Sequence, residues 1–177
     1  ELRGLGIEWL VLETTSHALA QHRVWGIPYS LAVMTNVTHE HLDYHGTFER
    51  YLAAKRKLFE LAAGNAQSAT AVRGIINADD PSADFFAEAT GDRTLRYSLS
   101  AGDITASNIA AAGTGSKFTV TAQGRAAFEV QVNLPGGFNV SNALAAVGVG
   151  LALGMANARL WYGLEALSSS EEHTYGS

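Results

Sequence analysis

Three apolar runs constrain this chain more than anything else in it. Residues 7–12, 31–35 and 71–77 are near-continuous stretches of Val, Ile, Leu, Ala, Met and Trp, the signature of strands buried on both faces. Helix signals separate them. A short amphipathic piece at 18–24 follows the first run, a long one at 47–63 follows the second, and Asp79-Asp80-Pro81 opens a helix through residue 89 after the third. Strand and helix alternating in this order predict an α/β fold, a mostly parallel sheet flanked by helices. In such sheets ligands bind beyond the carboxyl ends of the strands. Glu13 and Asn36 stand at two of those ends, and a histidine cluster lies just past the second.

That cluster, His39-Glu-His-Leu-Asp-Tyr-His45, places three histidines, Glu40 and Asp43 ahead of Gly46. Thr47 suits the cap of the helix that follows. At roughly 100° per residue, Phe48, Tyr51, Leu52, Leu58, Phe59 and Ala62 share one face of it, with Lys55 at the centre. Glu49, Arg50, Arg56, Lys57 and Glu60 take the solvated side. A lysine inside an apolar stripe has two explanations. Its stem snorkels to water, or it is held neutral or chemically modified because burying an unpaired ammonium is costly.

From residue 95 the pattern changes to period two, at 95–99, 104–109, 118–121 and 128–134, which predicts a small antiparallel β subdomain over about 95–135. Gly113-Thr-Gly-Ser-Lys117 lacks the ending of a phosphate loop and lies between strands, so it reads as a hairpin turn. Helices are expected at 143–153 and 160–167, and the polar tail 168–177 has no packing pattern. Both ends look cut, and no initiator methionine is present.

The 177 residues suit one domain, and 47% hydrophobic with 16% charged content describes a globular chain. A net charge of −5 supplies no basic footprint for nucleic acid. The absence of cysteine excludes disulfides and thiolate metal sites, and suits a cytosolic setting. The longest apolar run, 143–156, is too short for membrane insertion.

Glu13, His41 and Lys55 are the candidate metal-binding and catalytic residues. Carboxylate and imidazole are ordinary ligands, whereas an ammonium is not. A neutral lysine that adds carbon dioxide becomes an anionic carbamate, and an apolar wall favours the unprotonated amine that reacts. On donor chemistry alone the histidines favour zinc or manganese over magnesium.

Five segments then occur in order: Glu13-Thr-Thr-Ser-His-Ala-Leu-Ala-Gln-His-Arg23, Thr35-Asn-Val-Thr-His-Glu-His-Leu-Asp-Tyr-His-Gly46, Tyr51-Leu-Ala-Ala-Lys55, Ile76-Asn-Ala-Asp-Asp80 and Gly137-Phe-Asn-Val-Ser-Asn142. Together they resemble the central, ATP-binding domain of the Mur ligases, nearest to those that add the third residue to UDP-N-acetylmuramoyl-dipeptide. The resemblance covers about residues 5–168, and the expected domain is 1–168 with a non-matching tail at 169–177.

The resemblance implies an ATP-dependent acid–amino-acid ligase of the bacterial cytoplasm that works through an acyl phosphate. Its partners would be UDP-MurNAc-dipeptide, ATP and an amino acid. It implies Mg2+ at Glu13, His41 and Lys55, the lysine as N6-carboxylysine, which replaces the zinc or manganese expectation. It further implies that Thr15, Gln21 and Arg23 contact the muramoyl nucleotide and that Asn139 and Asn142 lie near adenine. A phosphate loop and flanking domains would lie outside this sequence, and the 177 residues alone would be inactive.

Two departures stand out: Glu13-Thr-Thr-Ser-His where the family has Glu-Val-Ser-Ser-His, and His39-Glu-His41 where it has Arg-Asp-His. Rival readings are a nucleotide- or substrate-binding piece without turnover, and a metal-dependent hydrolase using His39, His41 and Asp43. Read plainly, His17, His22, His39 and His45 are ordinary polar side chains. On the same reading Asp79 and Asp80 form a turn and helix start, Asn139 and Asn142 cap a helix, and Trp9 and Phe138 belong to the core.

Overall fold

The structure is a computed structural model that describes residues 9–38 and 42–155. Six strands form one sheet in the order of the chain: β1 (Ala32–Met34), β2 (Gly74–Asn77), β3 (Thr94–Ser98), β4 (Ile104–Ala112), β5 (Gly115–Ala122) and β6 (Phe128–Val132). The helices are α1 (Ser16–Ala20), α2 (Leu42–His45), α3 (Phe48–Gly64), α4 (Ala83–Thr90) and α5 (Gly137–Ala152). β1 to β4 pair in parallel, and β5 and β6 continue the same sheet antiparallel.

Consecutive strand residues point to opposite faces, and β2 shows what this does. Ile76 joins Ala32, Met34, Phe59, Ala62 and Phe86 under α3 and α4. Ile75 joins Tyr97, Ile104, Phe118, Val140, Leu144 and Val147 under α5. Each fully buried Ile or Phe contributes about 1.5–3 kcal/mol, so β2 holds both cores together. On the second face α5 approaches closely because of Gly148, where an added Cβ would stand 2.8 Å from Ile75 Cγ2.

The period-two pattern groups 95–99 with the antiparallel part, yet β3 runs parallel to both neighbours. β4 pairs with β3 at only two positions, Ile104 beside Tyr97 and Thr105 beside Ser98. A short connection, held where Asp103 Oδ2 accepts the Arg96 amide at 2.8 Å, therefore suffices, and β4 runs on past the end of β3. The expected hairpin is present, with Gly113 at φ +58 in its turn. Further along, Asn108 takes φ +52 at a register shift in β4.

Three expectations need correction. Residues 9–12 form no strand: Trp9, Leu10, Val11 and Leu12 are 58%, 63%, 96% and 44% exposed. A buried strand needs a hydrogen-bonded neighbour and cover on both faces, and among the described residues β1 has a strand on one side only. Phe138, expected in the core, is 70% exposed because it lies on the outer side of the first turn of α5. Arg56 is no solvated charge. It stacks over Phe85 with 4.7 Å to the ring centroid and pairs with Glu60 at 3.3 Å and Glu88 at 3.0 Å, joining α3 to α4. The helix expected at 160–167 lies outside the described residues. Among the described residues no helix is long and apolar enough to cross a membrane.

Candidate active site

Two short helices and the start of α3 bring separated segments together. Thr15 is extended (φ −76, ψ 153) and caps α1, its Oγ1 accepting the Ala18 amide at 3.2 Å. Gly46, at φ +77, ends α2 in a conformation that favours glycine. Thr47 then caps α3 by accepting the Arg50 amide at 3.3 Å. This sharp turn lays α2 against α3, and α1 packs on α3 as well.

The side chains between them interlock. Buried Ser16 Oγ lies 3.0 Å from Nε2 of buried His45. Gln21 Nε2 donates to the Tyr44 hydroxyl at 3.0 Å. The His17 ring sits 4.1 Å from Tyr44 and 5.5 Å from His45, and His45 sits 5.4 Å from Tyr51. One turn further, Lys55 Nζ stands 5.3 Å from the Tyr51 ring centroid, within cation–π range. Lys55 is half-buried, so its amine sits at the border of an aromatic cluster.

Glu13 is exposed, two residues before Thr15, the cap of α1. His41, with His39 and Glu40, lies outside the described residues, while Asp43 is exposed in α2. Gln21 is tied into the cluster through Tyr44, and exposed Thr15 is held locally as the cap of α1. Arg23 is exposed in the turn after α1, its amide donating to Ala18 O at 2.9 Å.

Asn139 and Asn142 are set apart from this group, in α5. The helix begins at Gly137 rather than 143, with Gly136 in the capping position and no side-chain cap, so neither asparagine is a cap. Asn139 Nδ2 donates back to Pro135 O at 2.8 Å, and Asn142, three residues on, is exposed. The two share one side of the first turns of α5.

At the carboxyl ends of β1, β2 and β3 a second network appears. Asn77 Nδ2 donates to Thr35 O at 2.8 Å, and the Tyr97 hydroxyl donates to Met34 O at 3.1 Å. Asp79 accepts from Ser98 Oγ at 2.6 Å and from the Leu99 amide at 2.8 Å. Asp80 accepts the Val37 amide on Oδ2 and the Ser82 amide on Oδ1, both at 2.8 Å. Burial pushes the Tyr97 phenol above its ordinary range; a hydrogen bond with Ser141 opposes this, and the Asp79 and Asp80 charges add to it. Tyr97 therefore stays protonated, as a donor. The acidic pair starts its helix as expected, but its cross-strand reach, and the parts played by Tyr44, Ser16 and Tyr97, had no local signal in the sequence.

A sheet that gathers polar segments at the carboxyl ends of parallel strands defines an α/β ligand-binding domain. The chain belongs to the Mur ligase middle domain family, which it matches over residues 1–150. It is 39% identical over 164 residues to the UDP-N-acetylmuramoyl-L-alanyl-D-glutamate–2,6-diaminopimelate ligase of Bacillus licheniformis, covering 92% of this chain and 33% of that protein. It is 38% identical over 169 residues to the UDP-N-acetylmuramyl-tripeptide synthetase of Roseiflexus, covering 90% of this chain and 33% of that protein. A solved structure of a diaminopimelate ligase of the same name as the first superposes with a TM-score of 0.75 at 30% identity, covering 88% of this chain and 31% of that one. The chain thus spans about one third of the length of the relatives it matches.

Proposed function

We propose that the protein carrying this chain is an ATP-dependent amide ligase of the bacterial cytoplasm that adds the third residue to UDP-MurNAc-dipeptide in peptidoglycan synthesis. The observation that carries this reading is the joining of the 13–23 segment to the 42–55 segment through Ser16–His45 and Gln21–Tyr44, with Lys55 at the cluster's border. Family membership and the relatives' names support it. Residues 1–168 are read as part of the middle domain, with the antiparallel region inside it and 169–177 beyond it.

The substrate carboxylate takes the terminal phosphoryl group of ATP and ADP departs. The amino acid's amine then attacks the acyl carbon, and phosphate leaves as the amide forms. Thr15, Gln21 and Arg23 would hold the muramoyl nucleotide, and Asn139 and Asn142 would meet the adenine edge, where an amide both donates and accepts. Lys55 would act as its carbamate, formed when the neutral amine bonds to carbon dioxide and releases a proton.

The described members of the metal set are one carboxylate, Glu13, and one amine, Lys55. Among the described residues no group of three or more His, Cys, Asp or Glu side chains is placed to hold a metal ion. A lysine carbamate turns that amine into an oxygen donor, so Glu13 and carbamylated Lys55 would offer a hard cation two oxygen ligands, while His41, the third member of the set, lies outside the described residues. Magnesium bound there would offset negative charge as the phosphoryl group moves.

The test is phosphate release by the intact protein with ATP, Mg2+, UDP-MurNAc-dipeptide and either diaminopimelate or lysine. Release that needs both dipeptide and amine supports the ligase, and release without them refutes it.

A further inference from the structure

The end of β1 and the loop leaving it are bonded from three sides by groups that the ligase reading leaves without a task. Tyr97 donates to Met34 O, Asn77 donates to Thr35 O, and Asp80 accepts from the Val37 amide. The Asp80 bond differs from the others. It is charge-assisted, hence about twice as strong as a neutral one, and its second oxygen is held by the Ser82 amide at the start of α4. The carboxylate is therefore a clamp with one jaw on α4 and one on the loop. Val37 is the first backbone donor after β1 to be captured by a side chain, and it stands four residues before His41.

We propose that Asp80 is a positioning residue: by joining the start of α4 to the Val37 amide it sets the direction in which the chain leaves β1 toward the histidine segment. The clamp is formed by residues far apart in sequence, 43 positions between Asp80 and Val37, so it records the folded sheet and not a local turn. Asp79 provides the contrast, since the same kind of carboxylate one residue earlier turns the other way and fastens the end of β3 through Ser98 and Leu99. Neighbouring acids thus hold different strand exits. The consequence for metal binding rests on the ligase reading, whereas the consequence for loop order does not.

Asp80→Asn tests this with little change of shape. The asparagine offers one acceptor oxygen, so it satisfies the Val37 amide or the Ser82 amide but not both. In the intact protein, hydrogen exchange in a peptide covering 35–45 should speed up about tenfold or more, while a peptide covering 94–99 stays unchanged. Asp79→Asn should show the reverse. The Mg2+ concentration giving half-maximal phosphate release should rise about 10- to 100-fold in Asp80→Asn, the size usual for a group that orients a ligand-bearing segment, with the melting temperature little changed.

Tyr97→Phe, which removes only the hydroxyl donated to Met34 O, serves as a second variant and should loosen the 35–45 peptide to a smaller extent. Unchanged exchange at 35–45 in both variants overturns the proposal. So does a fall in melting temperature with no shift in Mg2+ dependence. If the unaltered protein releases no phosphate with any amine, the ligase reading falls, and the exchange comparison by itself decides whether Asp80 holds the loop.

Discussion

The two halves of the sheet solve different problems. In the parallel half the strands are short, three residues in β1 and four in β2, and much of the specificity lies in their exits. There Asn77, Asp79, Asp80 and Tyr97 bond across strands to loops. In the antiparallel half β4 and β5 run nine and eight residues, and Phe118, Val120 and Ala122 of β5 alternate inward. Long ladders there are joined by a plain turn at Gly113 and Thr114. Order in the second half comes from the ladder and the core. Order in the first comes from side chains that hold backbone, which is what a site at strand ends requires.

Lys55→Ala should break this comparison most clearly. Ligation by the intact protein should fall by about 10³-fold, the upper range for losing one preorganised electrostatic group, while thermal stability stays near that of the unaltered protein. A short-chain carboxylate supplied in excess should restore part of the rate by standing in for the carbamate. Retained full activity would remove Lys55 from the site.

The next effect in size concerns the place where the halves meet. At Gly148 a Cβ would press on Ile75 of β2 at 2.8 Å and on Ile104 of β4 at 3.3 Å. Gly148→Val should therefore cost about 1–3 kcal/mol by overpacking, read from urea unfolding. An unchanged midpoint would show that α5 can lift from the sheet freely.

The smallest effect belongs to the antiparallel surface. Lys117 pairs with Glu129 across β5 and β6 at 3.0 Å, with side chains 48% and 67% exposed. Lys117→Ala should cost no more than about 1 kcal/mol and leave ligation untouched. A larger loss would mean that this face is covered in the intact protein.

Legibility in the sequence followed the same division. The parallel order is legible because the mostly apolar runs 31–35 and 71–77 alternate with helix signals, and the hairpin because alternation flanks Gly113. Thr47 announced its helix correctly. Period two does not distinguish parallel from antiparallel pairing, so the pattern places β3 in the antiparallel part although it runs parallel to both β2 and β4. Residues 9–12 show that apolar composition supplies the surface of a buried strand but not the partner that pairs with it. Within the candidate site, the choice of Thr15 and Gln21 follows the resemblance, and that of Lys55 follows its helical face; their roles are proposed. The grip of Tyr97 on Met34 spans 63 positions, and no local pattern encodes a bond of that range.

On the proposed function, the segments gathered at α1, α2 and α3 serve an ATP-dependent amide ligase. Phosphate release by the intact protein, followed while each of ATP, UDP-MurNAc-dipeptide and amino acid is omitted in turn, tests it most directly. Release is expected only when all three are present, matched by an equal amount of muramoyl-tripeptide. Phosphate release that continues without the dipeptide or the amine, or its absence under every combination, would contradict it.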